Sequence, residues 1–383
     1  MKLLVLVVSL IQLGPRAPMT PAETLLEPEI LRAIGEQAPI PEVPATTTGS
    51  DPGSDILITC RQNECGAATR AARRISALVA SKKLAQPNRS IRVVSAVDPE
   101  IGRRARAVIH VAEVADAPLQ VVRSLWSHAS IADEVAEVFA RQNGMTAARP
   151  YEAIGQLAFE PYGVSSTTIV VNPAVSNDRA AIVAAASAYF LATLPNAGAE
   201  ALLSHLTVGA HARLAEDGRR AVAQMGPQQR ASADVLIMFG QAIEREQRRM
   251  RSFESFMPAP ADPMLRSRIA DMEKGITSVW TSMGITSSAF VPAAERIRGR
   301  GGEDRRVPSR VGKDAIAAIE PPTAFLTYPD VKLILYELTN FIDGKRSISD
   351  IRDAVSAEFR PLPISAVTDY FDRLARTGAI SIK

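Results

Sequence analysis

Short apolar runs alternate with amphipathic stretches through the first half of the chain. Residues 56–59 (Ile-Leu-Ile-Thr), 90–96, 107–111 and 168–171 are compact apolar runs bounded by turn residues, the pattern of buried strands. Between them, residues 66–83 place Ile75, Leu78 and Val79 at helical spacing among arginines, and the helix is expected to end before Pro87. Residues 130–141 carry Ile131, Val135, Val138 and Phe139 on one face, with Ser130 positioned as an N-cap. Strands alternating with helices of this length predict a mixed or parallel sheet flanked by helices, an α/β fold.

The pattern changes after residue 178. Residues 180–194, 199–225, 232–257 and 263–283 read as long helices, punctuated by Pro195, Pro227 and Pro258-Ala259-Pro260. The Glu244-Arg245-Glu246-Gln247-Arg248-Arg249 run reads as a solvated helix face. The chain closes with three short helices over 331–341, 348–359 and 363–377 and a strand over 379–382. Ser347 and Asp350 form a cap and Gly378 a stop. Three helices followed by a strand form a winged-helix-like layout.

The two ends of this pattern are less regular. Residues 1–13 place one lysine before about ten apolar residues. This fits the apolar segment of an export signal, and equally a buried strand opening a domain; export, with a signal segment over 1–22, is the expectation taken forward. Prolines and Thr/Gly/Ser clusters make 23–55 read as a linker, apart from one short amphipathic helix within 23–35. The glycines and arginines of 291–312 read as a second linker. The resulting division is a 56–195 α/β domain, a 196–290 helical appendage and a 313–383 winged-helix-like module.

Composition narrows the chemistry. Of 383 residues, 44 are basic and 41 acidic, so a net charge of +3 does not point to nucleic acid as the main partner. The candidate recognition helix mixes Asp369 and Asp372 with Arg373 and Arg376, and it carries no basic stripe for reading bases. Two cysteines exclude a disulfide scaffold and a four-cysteine zinc site; in an oxidising compartment Cys60 and Cys65 would close at most a local clip. His110 lies inside an apolar strand, His128 follows Trp126-Ser127, and His205 and His211 are six residues apart rather than on one helical face. The chain contains no H-E-x-x-H, G-x-S-x-G or P-loop motif. Asp98 and Glu100 follow the second strand, where α/β sheets place ligand and catalytic groups.

The segment Asp55-Ile56-Leu57-Ile58-Thr59-Cys60, the turn Arg61-Gln62-Asn63-Glu64-Cys65-Gly66, the helix over 67–80, the strand over 89–94 and Asp98-Pro99-Glu100-Ile101-Gly102 resemble the core of the di-zinc aminopeptidases, metallopeptidase family 28. Asn172-Pro173 and the alanines from Ala180 to Ala186 are similar to the last helix of that family's catalytic domain. The stretches 336–347 and 350–359 look like the winged-helix tail of one branch. The resemblance implies an aminopeptidase-like α/β fold and, in active members, two zinc ions that activate a water. The ligand positions it marks are altered here. Gln62 stands in place of the bridging aspartate, Pro99-Glu100 replaces the glutamate pair, and Ala112 takes the place of a later aspartate. No histidine occurs between His128 and His205. Only Glu100 remains, as a vestigial catalytic candidate, and one carboxylate cannot hold a metal pair. The resemblance therefore implies a degenerate, inactive relative without cofactor that binds a peptide or protein, with no nucleic acid and no membrane span. An active hydrolase with zinc in a rearranged site around Asp98, Glu100, His110 and Glu113 is the rival, and a winged-helix regulator of nucleic acid is the third reading.

Overall fold

The computed structural model describes residues 30, 33–34, 44–60, 65–95, 99–114, 119–148, 164, 166–172, 177–194, 196–223, 233–257, 263–282, 304–312 and 319–383. The described residues fall into two compact units. One takes Met19–Leu206 with Arg249–Arg268, the other Thr207–Arg248 with Ile269–Lys383.

The first unit is α/β. Its strands are β1 (Thr46–Thr47), β2 (Asp51–Cys60), β3 (Arg89–Val94), β4 (Ala105–Glu113), β5 (Gln120–Val122), β6 (Thr146–Ala148) and β7 (Ser166–Val171), in the order β1-β3-β2-β4-β7-β5-β6. The central four, β3-β2-β4-β7, are parallel, while β1 and the β5-β6 pair run antiparallel to their neighbours β3 and β7. The sheet is therefore mixed. The helices are α1 (Gly66–Ala80), α2 (Pro99–Arg104), α3 (Ile131–Gln142) and α4 (Asn177–Thr193). Alternation along the strands sets the faces. Glu113 reaches the first turn of α1, whereas Val108, five residues earlier and on the other face, packs in one cluster with Leu57 and Ile101 of α2. The sheet is thus flanked on both sides. α4 is apolar nearly all round, and its alanines from Ala180 to Ala188 are buried, as are Ala67, Ala68, Ala71 and Ala72 of α1. Side chains this small let helix and sheet backbones approach closely.

Two sequence expectations shift here. β2 begins at Asp51 and β1 lies at 46–47, so the sheet extends into the stretch read as linker. The register of β2 slips between Asp51 and Asp55, where Pro52 and Gly53 stand, and such a slip lets a strand hold residues that otherwise break it. Asp55, 1% exposed, pairs with Arg92 at 3.2 Å and Arg104 at 3.4 Å. The second shift concerns α2, β5 and β6, each too short to carry a period of its own.

The second unit contains the C-terminal half of α5 (Asn196–Ala223), most of α6 (Ala233–Ser252), part of α7 (Pro263–Ser282), and the C-terminal module. In the module α8 (Val331–Asn340), α9 (Ile348–Glu358) and α10 (Ile364–Arg376) surround Phe325, Leu338, Ile351, Val355, Phe371 and Leu374. β8 (Pro308–Arg310) pairs antiparallel with β9 (Ile380–Ile382), so the linker expected over 291–312 supplies a strand. Ser347 and Asp350 form a reciprocal capping box on α9, and Gly378 adopts φ +77° after α10.

The Glu244–Arg249 run is a correction. Glu244 is exposed, but Arg245, Glu246 and Arg249 are 6%, 1% and 3% exposed. Arg245 pairs with Asp217 at 2.9 Å and Arg213 with Glu246 at 2.8 Å, tying α5 to α6. Apart from the adjacent Arg245–Glu246 pair, the partners of these charges lie far off in sequence, so a local charge pattern could not reveal that the face is packed.

Candidate functional site at the sheet edge and the buried charge cluster

The strand order reverses at β2. The chain passes from β2 to β3 on one side and returns to β4 on the other, and the crevice beyond the carboxyl ends of β2 and β4 is where open α/β sheets place ligands. Among the described residues, two of the chain's own links lie at that edge. Cys60, the last residue of β2, is bridged to Cys65, the residue before α1. Glu113, the last residue of β4, accepts from the Ala67 amide at 3.2 Å and so satisfies one of the unpaired N–H groups that open α1. Arg70 is close by. A methyl built on Gly66 would lie 3.5 Å from both Arg70 Nη1 and Glu113 Oε1.

The expected site residues distribute as follows. Glu100 lies exposed in the first turn of α2. His110 is 3% exposed within β4, and its Nδ1 is 2.9 Å from Thr59 Oγ1 on β2. His110 and Glu113 are three residues apart on one strand and stand on opposite faces of the sheet, so the structure does not bring them together. Ala112 is fully buried. Asp98 and Gln62 lie outside the described residues. Among the described residues, no group of three or more His, Cys, Asp or Glu side chains is arranged to hold a metal ion.

The densest set of charges lies elsewhere in this unit, and only its N-cap was foreseen. α3 begins at the Ser130 cap, and its first two turns place Asp133, Glu134 and Glu137, at 0%, 1% and 4% exposure, inside the unit. Asp133 accepts from the Ser124 amide at 2.9 Å, from Ser124 Oγ at 2.6 Å and from Thr167 Oγ1 at 2.8 Å. Arg123 binds Glu134 at 3.2 Å and also Glu137. Burial opposes the charge on Arg123, yet the adjacent carboxylates of Glu137 and Glu134 outweigh it and raise its pKa. Arg249 lies 3.8 Å from Asp133 and 3.7 Å from Glu134, and His205 Nε2 lies 3.5 Å from Glu134. Its carboxylates are buried while Arg123 remains 22% exposed at the rim, so the cluster acts as a structural clamp between α3, the Ser124 loop, β7 and the neighbouring helices. The sequence signal available for it was a run of acidic residues in the first turns of a helix that is otherwise apolar.

No protein-family model matches the chain, and no characterised protein matches it by sequence. Among the described residues, no helix is long and apolar enough to cross a membrane.

Proposed function

We propose that the chain is a non-catalytic binding protein on an aminopeptidase-like α/β scaffold, with a winged-helix-like C-terminal module. The observation that carries the reading is the carboxyl edge of the sheet, where the Cys60–Cys65 bridge and the Glu113–Ala67 bond already engage the ends of β2 and β4. Among the described residues, the donor set of a di-zinc site is incomplete there. Ala112 offers no ligating atom, and Glu113 faces away from His110. The disulfide also supports an exported protein, because such bridges persist in oxidising compartments. A peptide or protein partner suits this reading better than nucleic acid. On α10, Asp369 and Asp372 balance Arg373 and Arg376, so the helix presents no basic stripe to a phosphate backbone.

The test is a zinc determination by plasma mass spectrometry on protein purified without chelator, paired with aminoacyl-nitroanilide turnover with and without added zinc. The expected result is sub-stoichiometric zinc and no chelator-sensitive turnover. Tightly held stoichiometric zinc with turnover abolished by a chelator overturns the proposal.

A further inference from the structure

The geometry points to a binding site for a small oxyanion with an apolar body, in a cleft of the second unit where α9 and the turn after it meet α5 and α6. The cleft is small and open, with an accessible volume of about 50 Å³, room for an oxyanion group with its apolar body lying along the wall. Arg220 of α5, Arg352 of α9 and Arg360 of the following turn all line it, with Asp353 as the single carboxylate in the lining. Ile237, Met238 and Phe359 supply apolar wall.

Each guanidinium is held in place. Arg220 binds Asp217 at 2.9 Å and the Ala357 carbonyl at 3.3 Å. Arg352 binds Asp353 at 2.7 Å. Arg360 binds Asp330 at 3.0 Å and stacks over the Tyr328 ring at 4.9 Å. A guanidinium carries five N–H donors in a rigid fork, so a carboxylate that fixes its orientation does not exhaust it. The side chains of Arg220, Arg352 and Arg360 remain 25%, 23% and 37% exposed, open to a ligand while already ordered. Planar forks fixed in this way match the two or three oxygens of a carboxylate or phosphate, and pre-ordering removes much of the entropy that binding would otherwise cost. The apolar wall beside the forks selects for an anion with a hydrophobic portion over a bare ion. This site lies in a different unit from the sheet edge, and the argument for it does not rest on the absence of catalysis there.

Titration calorimetry on the full chain tests this with four probes: phenyl phosphate, benzoate, inorganic phosphate and benzyl alcohol. The expected result is saturable binding of phenyl phosphate or benzoate, weakening as salt is raised, with inorganic phosphate weaker and benzyl alcohol silent. Which of the two aromatic anions binds tighter tells phosphate from carboxylate recognition. The double variant Arg352→Gln, Arg360→Gln should bind at least tenfold more weakly. The variant Arg360→Lys, which keeps the charge and loses the fork, should bind at an intermediate level and guards against loss of fold in the double variant. No saturable anion binding by the wild type, equal binding of benzyl alcohol, or unchanged affinity in Arg360→Lys overturns the proposal. Zinc content and peptidase turnover are untouched by these readouts, so failure here is distinct from failure of the binding-scaffold reading.

Discussion

Truncating Asp133 should be among the most damaging single changes in the α/β unit. The carboxylate is fully buried and accepts three hydrogen bonds, from Ser124 N, Ser124 Oγ and Thr167 Oγ1, while balancing Arg249. In Asp133→Ala the Ser124 amide and the Thr167 hydroxyl lose their acceptor inside the protein, Ser124 Oγ keeps only the His128 carbonyl at 3.1 Å, and Arg249, itself 3% exposed, loses one of its two carboxylates. Each stranded buried donor costs about 1–3 kcal/mol, and breaking a buried ion pair about 3–5 kcal/mol; water entering the vacated space offsets part of this, leaving about 4 kcal/mol. Asp133→Asn keeps the volume and one acceptor oxygen, so about 2 kcal/mol is expected. Trp126 begins the short helical turn beside Ser124 and reports on this unit, so its fluorescence in a Trp280→Phe background, followed through urea unfolding, reads the loss. The ranking of Ala worse than Asn is the sharper test. A loss below about 1 kcal/mol for Asp133→Ala, or Asn as damaging as Ala, refutes the claim that Asp133 is a dry, fully engaged centre of the clamp.

Three further outcomes follow from other parts of the molecule. Replacing both Cys60 and Cys65 by serine releases a loop whose ends are five residues apart, and chain entropy for so short a loop gives a loss of about 2 kcal/mol, read as a drop in urea midpoint that matches wild type under reductant. Gly49→Ala places a methyl 2.6 Å from the Arg89 Cα and carbonyl oxygen, backbone atoms of a strand that cannot step aside, so a loss of about 3 kcal/mol or more is expected in thermal unfolding. Asp304 is held below the usual carboxylate range, first by its hydrogen bond from Arg306 and further by Thr368, so its contribution to stability is complete above about pH 4 and fades as pH falls through its lowered value. Asp304→Asn should therefore differ most from wild type at neutral pH and converge with it towards pH 2 in acid unfolding followed by circular dichroism.

The legible parts of the fold share one property: their signal lies within a single element. The apolar runs at Ile56, Ile91, Ile109 and Ile169 each carried their own strand signature, and Ser130 and Ser347 carried their own caps. The elements that escaped notice depend on partners. β1 has two residues and exists because Thr46 and Thr47 pair with Arg92 and Ile91. β8 exists because Pro308–Arg310 finds Ile380–Ile382 some seventy positions later. Arg245, Glu246 and Arg249 read locally as a solvated face because their countercharges, Asp217, Arg213, Asp133 and Glu134, sit on other elements. The same limit applied at the site. Glu100, His110 and Glu113 were close in sequence, but β4 sends His110 and Glu113 to opposite faces, a fact of strand geometry that a list of chemically suitable residues does not contain.

The two sites of interest obey opposite electrostatic logic, and the difference bears on where a ligand would bind. At the sheet edge the field that would attract an anion comes from the amides opening α1, and a carboxylate tethered on β4 already sits on it. A tethered group competes at a high effective concentration, so a free anion has little to gain there. In the cleft Asp217, Asp353 and Asp330 orient Arg220, Arg352 and Arg360 one for one, and the three arginine side chains stay 25%, 23% and 37% exposed. Binding energy is available where ordered charge still faces solvent, and spent where the chain's own counterpart covers it. On that ground the arginine cleft, not the edge of the sheet, is where this chain meets a charged ligand.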